Sequence, residues 1–274
     1  MSGLDIAAVD AGLTGTRFAR GLRYFPSVGS TNSLAMEAAQ AGAREGVWVA
    51  DEQTAGRGRG GHAWHSVAGN GLYLSALVGP RVPAGRAMWI SLATALAARM
   101  AIARASGLTA DIRWPNDLLL NGRKCGGILV ESAVAAAQGG AVEAMRYAVI
   151  GVGINVNHAS FPGDLSDAAT SLRMEATREV SREGLLIELL RGLDEELGRL
   201  DAEHAEALDD NGDDGLLERF AAASTWVRGR RVRVGEADGY TGVTAGLSRD
   251  GFLFVDGEDG TRRTVLSGGV RELK

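Results

Sequence analysis

The sequence predicts an α+β protein with a small antiparallel β-barrel at its C-terminal end, on three observations. Apolar runs of strand length, punctuated by turn residues, recur between Leu22 and Val156. Two long helical patterns accompany them. Trp89 to Ser106 is apolar nearly all round, as a buried helix is, and Ser181 to Leu200 carries Leu185, Leu186, Leu189, Leu190, Leu193 and Leu197 at helical spacing. From Thr225 the composition turns to short alternating runs broken by Gly and Asp, the pattern of a small barrel.

Taken in order, residues 1–20 show no clear period and read as a partly mobile extension ahead of a strand at Leu22-Arg23-Tyr24-Phe25. Ser30-Thr31-Asn32-Ser33 offers capping side chains before the helical Leu34 to Ala39. Strands follow at Val47–Ala50 and Leu72–Val78, on either side of a glycine-rich stretch. Asp111–Trp114 is a strand ending at Pro115-Asn116-Asp117, and Leu118–Leu120 resumes extended chain. Asn121-Gly122 is a hairpin signal leading to the strand Ile128–Glu131. Ala133 to Gly140 reads as a turn or loose tip, and Tyr147–Val156 as a buried strand whose glycines allow close backbone approach. Ser160 to Thr170 is loop-like; Asp201 to Glu218, with eight acids and no lysine or arginine, reads as a solvated helix end and linker. The organisation expected is an extension over 1–23, a main domain over 24–223 and the barrel over 224–274.

Composition narrows the function classes. With 274 residues and 45% hydrophobic content the chain can bury a large core. A net charge of −5 and a pI near 5.5 argue against a general nucleic-acid binder, while leaving room for a local basic cleft. The single cysteine, Cys125, precludes an intramolecular disulfide and suits a reducing compartment. Met1 to Gly12 lacks a basic n-region, and the strongly apolar run Ala87 to Ala98 is 12 residues, too short for a bilayer. The expectation is a cytoplasmic protein without membrane contact.

The chemistry concentrates at Gln53-Thr54-Ala55-Gly56-Arg57-Gly58-Arg59-Gly60-Gly61-His62-Ala63-Trp64. Four glycines and two arginines occupy six consecutive positions, Gly56 to Gly61, with no acid among them. Glycine lets backbone N–H groups approach a ligand, and arginine forks suit phosphate or carboxylate. Gly56 to Gly61 formally fits G-x-G-x-x-G, but no helix pattern follows, so the dinucleotide fingerprint is weak. Of 29 basic residues 27 are arginine, which makes Lys124 in Gly122-Arg123-Lys124-Cys125-Gly126-Gly127 conspicuous. An arginine-favouring codon bias explains the scarcity of lysine, but not why a compact point charge is kept there. Cys125 has no His and Asn/Asp constellation to make it a nucleophile, and His62, His65, His158 and His204 have no metal-ligand spacing.

Together with Arg113-Trp114-Pro115-Asn116-Asp117 and Gly151-Val152-Gly153-Ile154-Asn155, these stretches, in this order, closely resemble the biotin–protein ligase family over about residues 24–274. The resemblance implies a mixed β-sheet catalytic domain with packed helices, like that of class II aminoacyl-tRNA synthetases, and a Src-homology-3-like barrel. It implies a two-step reaction in which biotin and ATP, with Mg2+, give biotinyl-5'-AMP. A lysine of a biotin carboxyl carrier domain, of acyl-CoA or pyruvate carboxylase, then takes the biotinyl group. By match to the family's motifs, Ser30, Thr31, Asn32, Gln53, Gly56, Arg57, Gly58, Trp64, Lys124, Gly126 and Gly127 would meet biotin. Arg57, Arg59, His62, Trp64, Asn116, Lys124 and Asn155 would meet ATP or the adenylate. Lys124, Arg57, Arg59 and Asp117 would be catalytic, with Asp117 near the metal and a helper in deprotonating the incoming lysine.

Gly60 and His62 depart from the family pattern, standing where basic residues are usual. Some members carry an N-terminal DNA-binding domain; only some 23 residues precede the catalytic region here, so no operator binding is expected. The oligomeric expectation is a monomer or weak homodimer. The rival readings are a lipoate or octanoate ligase or transferase and, more distantly, a nucleic-acid-binding regulator.

Overall fold

A seven-stranded mixed sheet frames the computed structural model, which describes residues 3–80, 82–134, 145–206, 215–235, 239–266 and 269–273. Helix α1 (Ile6–Gly12) precedes β1 (Leu22–Phe25), and α2 (Thr31–Gln40) links β1 to its parallel neighbour β2 (Gly46–Ala50). Then come β3 (Gly71–Val78), α3 (Ala87–Ser106), β4 (Asp111–Arg113), β5 (Asp117–Leu120), β6 (Arg123–Val134) and β7 (Met145–Asn155). Their order across the sheet is β1-β2-β3-β7-β6-β5-β4, antiparallel at every pairing after the first.

One face of this sheet carries the main core. Helix α3, α4 (Leu172–Ala176), α5 (Arg182–Glu206) and α6 (Gly215–Ala223) lie on this side, α3 against α5, α6 and β6. The six leucines of the α5 stripe are fully buried. Helix α3 is long and apolar enough to cross a membrane, longer than the 12-residue run read from sequence, but it is largely buried among these elements.

The opposite face is covered by α2 alone over part of its width: Ala35 and Ala39 pack on Trp48, Leu77, Tyr147 and Val149. Beside that patch the register lines up three rows: Glu131, Val149 and Leu77; Leu129, Gly151 and Ser75; Gly127, Gly153 and Tyr73. The glycines leave the second and third rows short of side-chain volume, and the depression so formed is the site.

A second, antiparallel sheet follows, from β8 (Arg228–Val234), β9 (Tyr240–Leu247), β10 (Leu253–Gly257), β11 (Arg262–Val265) and β12 (Val270–Glu272). Its order is β11-β10-β9-β8-β12, and no pairing joins β11 to β12 among the described residues, so the ladder is open where a closed barrel was expected. Two indoles tie it to the first domain: Trp114, just after β4, donates from Nε1 to the Gly251 carbonyl at 2.9 Å, and Trp89 of α3 donates from Nε1 to that of Arg249 at 3.1 Å. Gly251 takes φ +85°, and a Cβ there would stand 2.9 Å from Leu92.

Several segments differ from expectation. The N-terminal stretch holds α1, and Leu4, Val9, Leu13 and Phe18 are buried in the main core. A seven-residue helix of mostly small residues has too few apolar positions to show a period; partners on α5, such as Arg191, whose Nε donates to Gly12 O at 2.7 Å, hold it. The acidic stretch read as a linker runs into α6, which buries Leu216, Leu217 and Phe220; residues 207–214 lie outside the described set. Ala133 and Val134 belong to β6 rather than a turn, and 135–140 are not among the described residues.

Candidate functional site

The cleft over the glycine rows is closed by α2 on one side and by the 53–66 loop on the other. At one end it is neutral and polar. Gln53 Oε1 accepts from both the backbone N–H (2.9 Å) and the hydroxyl (3.1 Å) of Thr31, while Gln53 Nε2 donates to Ser66 Oγ at 3.1 Å. A distant glutamine thus satisfies the first N–H of α2. Ser30, the N-cap residue, makes no side-chain capping bond, so the simple capping expected there is not its role; its buried side chain lines the cleft instead. Ser75 Oγ lies 2.8 Å from Thr31 Oγ1 and 2.5 Å from Asn32 Oδ1. Asn32 Nδ2 donates to Glu131 Oε2 at 2.9 Å, so the orientation of its amide is fixed from both ends. A Cβ at Gly151 would fall 2.1 Å from Asn32 Oδ1.

The loop folds back on itself as a short hairpin: Gly58 N–H donates to His62 O at 2.7 Å, Trp64 N–H to Gly56 O at 2.9 Å, and Arg57 bridges Ala63. Gly60 and Gly61 take φ +65° and +80°, conformations that favour glycine and let the tip reverse without a side-chain clash. Trp64 lies over Gly153, where a Cβ would be 2.5 Å from its Nε1, and that indole N–H is buried without a partner.

The other end of the cleft is cationic. Lys124 Nζ sits 5.3 Å from the Trp64 ring centre and 2.6 Å from Asp117 Oδ1. Asp117 Oδ2 is taken by Arg113, at 2.5 Å from Nη2 and 3.1 Å from Nε. Burial alone would raise the Asp117 pKa, but Lys124 and Arg113 outweigh it and hold the carboxylate below its ordinary value. Arg59 reaches Asn116 Oδ1 at 3.2 Å; burial lowers its pKa, opposed by Asp117. Arg57 Nη2 is 2.5 Å from Glu131 Oε2.

Most of the candidates read from sequence therefore converge. Ser30, Thr31, Asn32, Gln53, Arg57, Gly58, Arg59, Trp64, Asn116, Lys124 and Gly127 line one cleft, and Asp117 supports Lys124. Others do not line it. Gly126 faces away, toward Leu118. Gly56 is packed under the loop, where a Cβ would meet Ser66 Oγ and Trp64 O at 2.8 Å. His62 is exposed on the loop, where it borders a second, open hollow under the loop tip. Asn155 donates through Nδ2 to Thr170 O at 3.1 Å and lies 3.5 Å from Lys124 O, so it ties β7 to β6 and to the 168–170 loop. Cys125 is buried and its thiol is pushed up to about 12, no nucleophile.

Sequence reasoning missed Ser66, Ser75, Arg113 and Glu131. A serine inside the apolar run Leu72–Val78 was the one available signal; the others gain their role only through strand register. For Mg2+ the residues do not fit a protein-held site. Both Asp117 oxygens are engaged by cations, and no cluster of three acidic, His or Cys ligands exists among the described residues.

Residues 24–155 match the biotin/lipoate A/B protein ligase family. A biotin–[acetyl-CoA-carboxylase] ligase of Mycobacterium tuberculosis is 32% identical over 260 residues, covering 91% of this chain and 88% of that protein. This chain belongs to the biotin–protein ligase family. The bifunctional ligase/repressor BirA of Bacillus subtilis is 40% identical over 172 residues; the match covers 62% of this chain and 51% of that relative, so the chain spans about half the length of such relatives. Among solved structures, the biotin protein ligase of Aquifex aeolicus in complex with biotin and ATP superposes with a TM-score of 0.74 at 25% identity, covering 93% of this chain and 100% of that one.

Proposed function

We propose that this chain is an ATP-dependent ligase that activates biotin as biotinyl-5'-AMP and transfers it to a lysine of a biotin carboxyl carrier domain. The observation that carries the reading is the polarity of the cleft. Amides and hydroxyls of Ser30, Thr31, Asn32 and Gln53 stand at one end and Lys124 at the other, with Trp64 over Gly153 between them, while Arg57 and Arg59 line the same cleft from the loop. A ligand with a neutral hydrogen-bonding head and an anionic tail fits that order. The Aquifex aeolicus relative, whose structure holds biotin and ATP, supports it.

In the first step a biotin carboxylate oxygen attacks the α-phosphorus of ATP. The bond to the bridging oxygen breaks, and pyrophosphate leaves. Lys124 lies where the carboxylate and α-phosphate oxygens meet and offsets their charge, while Arg57 and Arg59 bind the remaining oxygens. Asn116 positions Arg59 and forms the adenylate side. Trp64 and the 53–66 loop shield the mixed anhydride from water. Mg2+ enters with ATP as part of the substrate, held by its phosphates.

In the second step the carrier amine attacks the acyl carbon, AMP leaves and the nitrogen gives up a proton. Asp117, with both oxygens engaged and a lowered pKa, is a weak base. Its role in this reading is to position Lys124 rather than to deprotonate the amine. His62 and Asn155 are assigned to the nucleotide side only indirectly, through the loop and the β7 end. The domain division at 24–223 and 224–274, the barrel-like character of the second domain, a cytoplasmic setting, a monomer or weak dimer, and a carrier domain of acyl-CoA or pyruvate carboxylase as acceptor belong to the same reading.

The test is pyrophosphate release from MgATP with biotin, lipoate or no acid, for the intact chain and Lys124→Ala. Biotin-dependent release that drops by about 10²–10³ in the variant is the expected result. Release with lipoate alone would move the chain to the lipoate branch, and no release with either acid from folded protein would refute the ligase reading.

A further inference from the structure

Glu131 is absent from the chemistry above, yet it joins the 53–66 loop to α2 through one carboxylate. It stands at the edge of the glycine floor, in the row of Val149 and Leu77. One of its oxygens, Oε2, is shared. Arg57 Nη2 approaches it at 2.5 Å from the loop, and Asn32 Nδ2 donates to it at 2.9 Å from α2. Asn32 belongs to the neutral end, and Glu131 holds the Arg57 guanidinium on that side of the cleft. The pair is partly open to solvent on both sides, so exchange of one carboxylate partner for another is energetically cheap.

We propose that Glu131 is an internal stand-in for the substrate's carboxylate: it holds Arg57 in place while the cleft is empty and releases it to the acid group of the incoming ligand. This rests on the reading of the ligand as biotin. The consequence is a specificity device. A ligand carrying a carboxylate compensates Arg57 for the contact it gives up; a ligand with a neutral tail leaves the Arg57–Glu131 pair intact and gains nothing from it. The Asn32 contact survives either way, so the head pocket stays ordered while the loop arginine changes partner. Glu131 is in this account a positioning and specificity residue, acting through Arg57.

The experiment is calorimetric titration of the full chain with biotin and with its primary amide, for wild type, Glu131→Gln and Glu131→Ala. Gln keeps an oxygen for Asn32 and removes the charge that competes for Arg57. The expected result is an unchanged affinity for the amide and a rise of about two- to fivefold in the preference for acid over amide. Ala also removes the Asn32 contact and should weaken both ligands. An acid-over-amide preference in Glu131→Gln that stays level or falls, with amide binding intact, overturns the proposal. Amide binding that Glu131→Ala leaves untouched overturns the link to Asn32. If wild type binds neither ligand, the biotin reading itself falls and this inference with it.

Discussion

Lys124 Nζ and Asp117 Oδ1 lie 2.6 Å apart across the β5–β6 pair, where Asp117 faces Gly127 and Lys124 faces Leu119 over a register shift. The shift brings the two side chains to one spot, and Arg113 completes the neutralisation of the carboxylate. A lysine so tethered points one ammonium into the cleft without searching rotamers, which is how a flexible side chain becomes a positioned charge.

Asp117→Asn should therefore lower adenylation by about ten- to a hundredfold while changing biotin affinity much less, because the amides and hydroxyls proposed to take biotin's head lie elsewhere. It should also cost about 1–3 kcal/mol of stability, discounted for the partial exposure of Lys124. Since the folded pKa of Asp117 is depressed, its contribution is fully present above the ordinary value of 3.8 and is lost as pH falls through the lower folded value. Pyrophosphate release, biotin calorimetry and urea unfolding at pH 7 and in acid check the three parts. Equal loss of biotin binding and adenylation would show Asp117 to be a general support of the pocket instead.

Gly151→Ala is the sharpest steric test of the cleft floor. The new methyl would stand 2.1 Å from Asn32 Oδ1, and that amide is pinned by Ser75 and Glu131, so it cannot turn aside. Biotin affinity should fall at least about tenfold, with a stability loss of about 1–3 kcal/mol from overpacking. Unchanged biotin binding measured by calorimetry would mean that Asn32 is not part of the head pocket.

His158 gives a pH signature apart from catalysis. It is buried, stacks on Phe161 with ring centres 4.9 Å apart, and neither ring nitrogen has a partner. Burial, with a smaller push from His65, lowers its pKa to about 4 from the ordinary 6.5. Such a group favours the folded state fully above pH 6.5, and that advantage is lost as pH falls toward about 4, because the unfolded chain takes up the proton first. Between pH 7 and pH 5 the loss should be about 2 kcal/mol. His158→Phe keeps the stacking and removes the proton, so its unfolding free energy should change less over that interval by about the same amount. Parallel pH profiles for the two proteins would refute the assignment.

How much of this was legible in the sequence depends on where each signal comes from. Local chemistry fixed the glycine–arginine loop, the helix Trp89–Ser106, the leucine stripe of α5 and the family motifs, because spacing and residue type alone carry them. Lys124 was visible as one of two lysines in an arginine-rich chain. Helices α1 and α6 were not, since each is short and gains its order from long-range burial rather than from its own period. The second sheet was legible as short strands, but whether its edges close is a matter of pairing, and among the described residues they do not.

The site divides the same way. The residue types of the cleft are readable from the chain alone: neutral amides and hydroxyls near Ser30 and Gln53, cations at Arg57, Arg59 and Lys124, and glycines to make room. Which of them meet is settled by folding, because a strand's register and a helix's approach bring side chains together, and neither is written in local spacing. That is why Ser30 to Asn32 turn from caps into cleft wall, why Asp117 is spent on Lys124 and Arg113, and why Glu131, silent in the sequence, sits between Asn32 and Arg57.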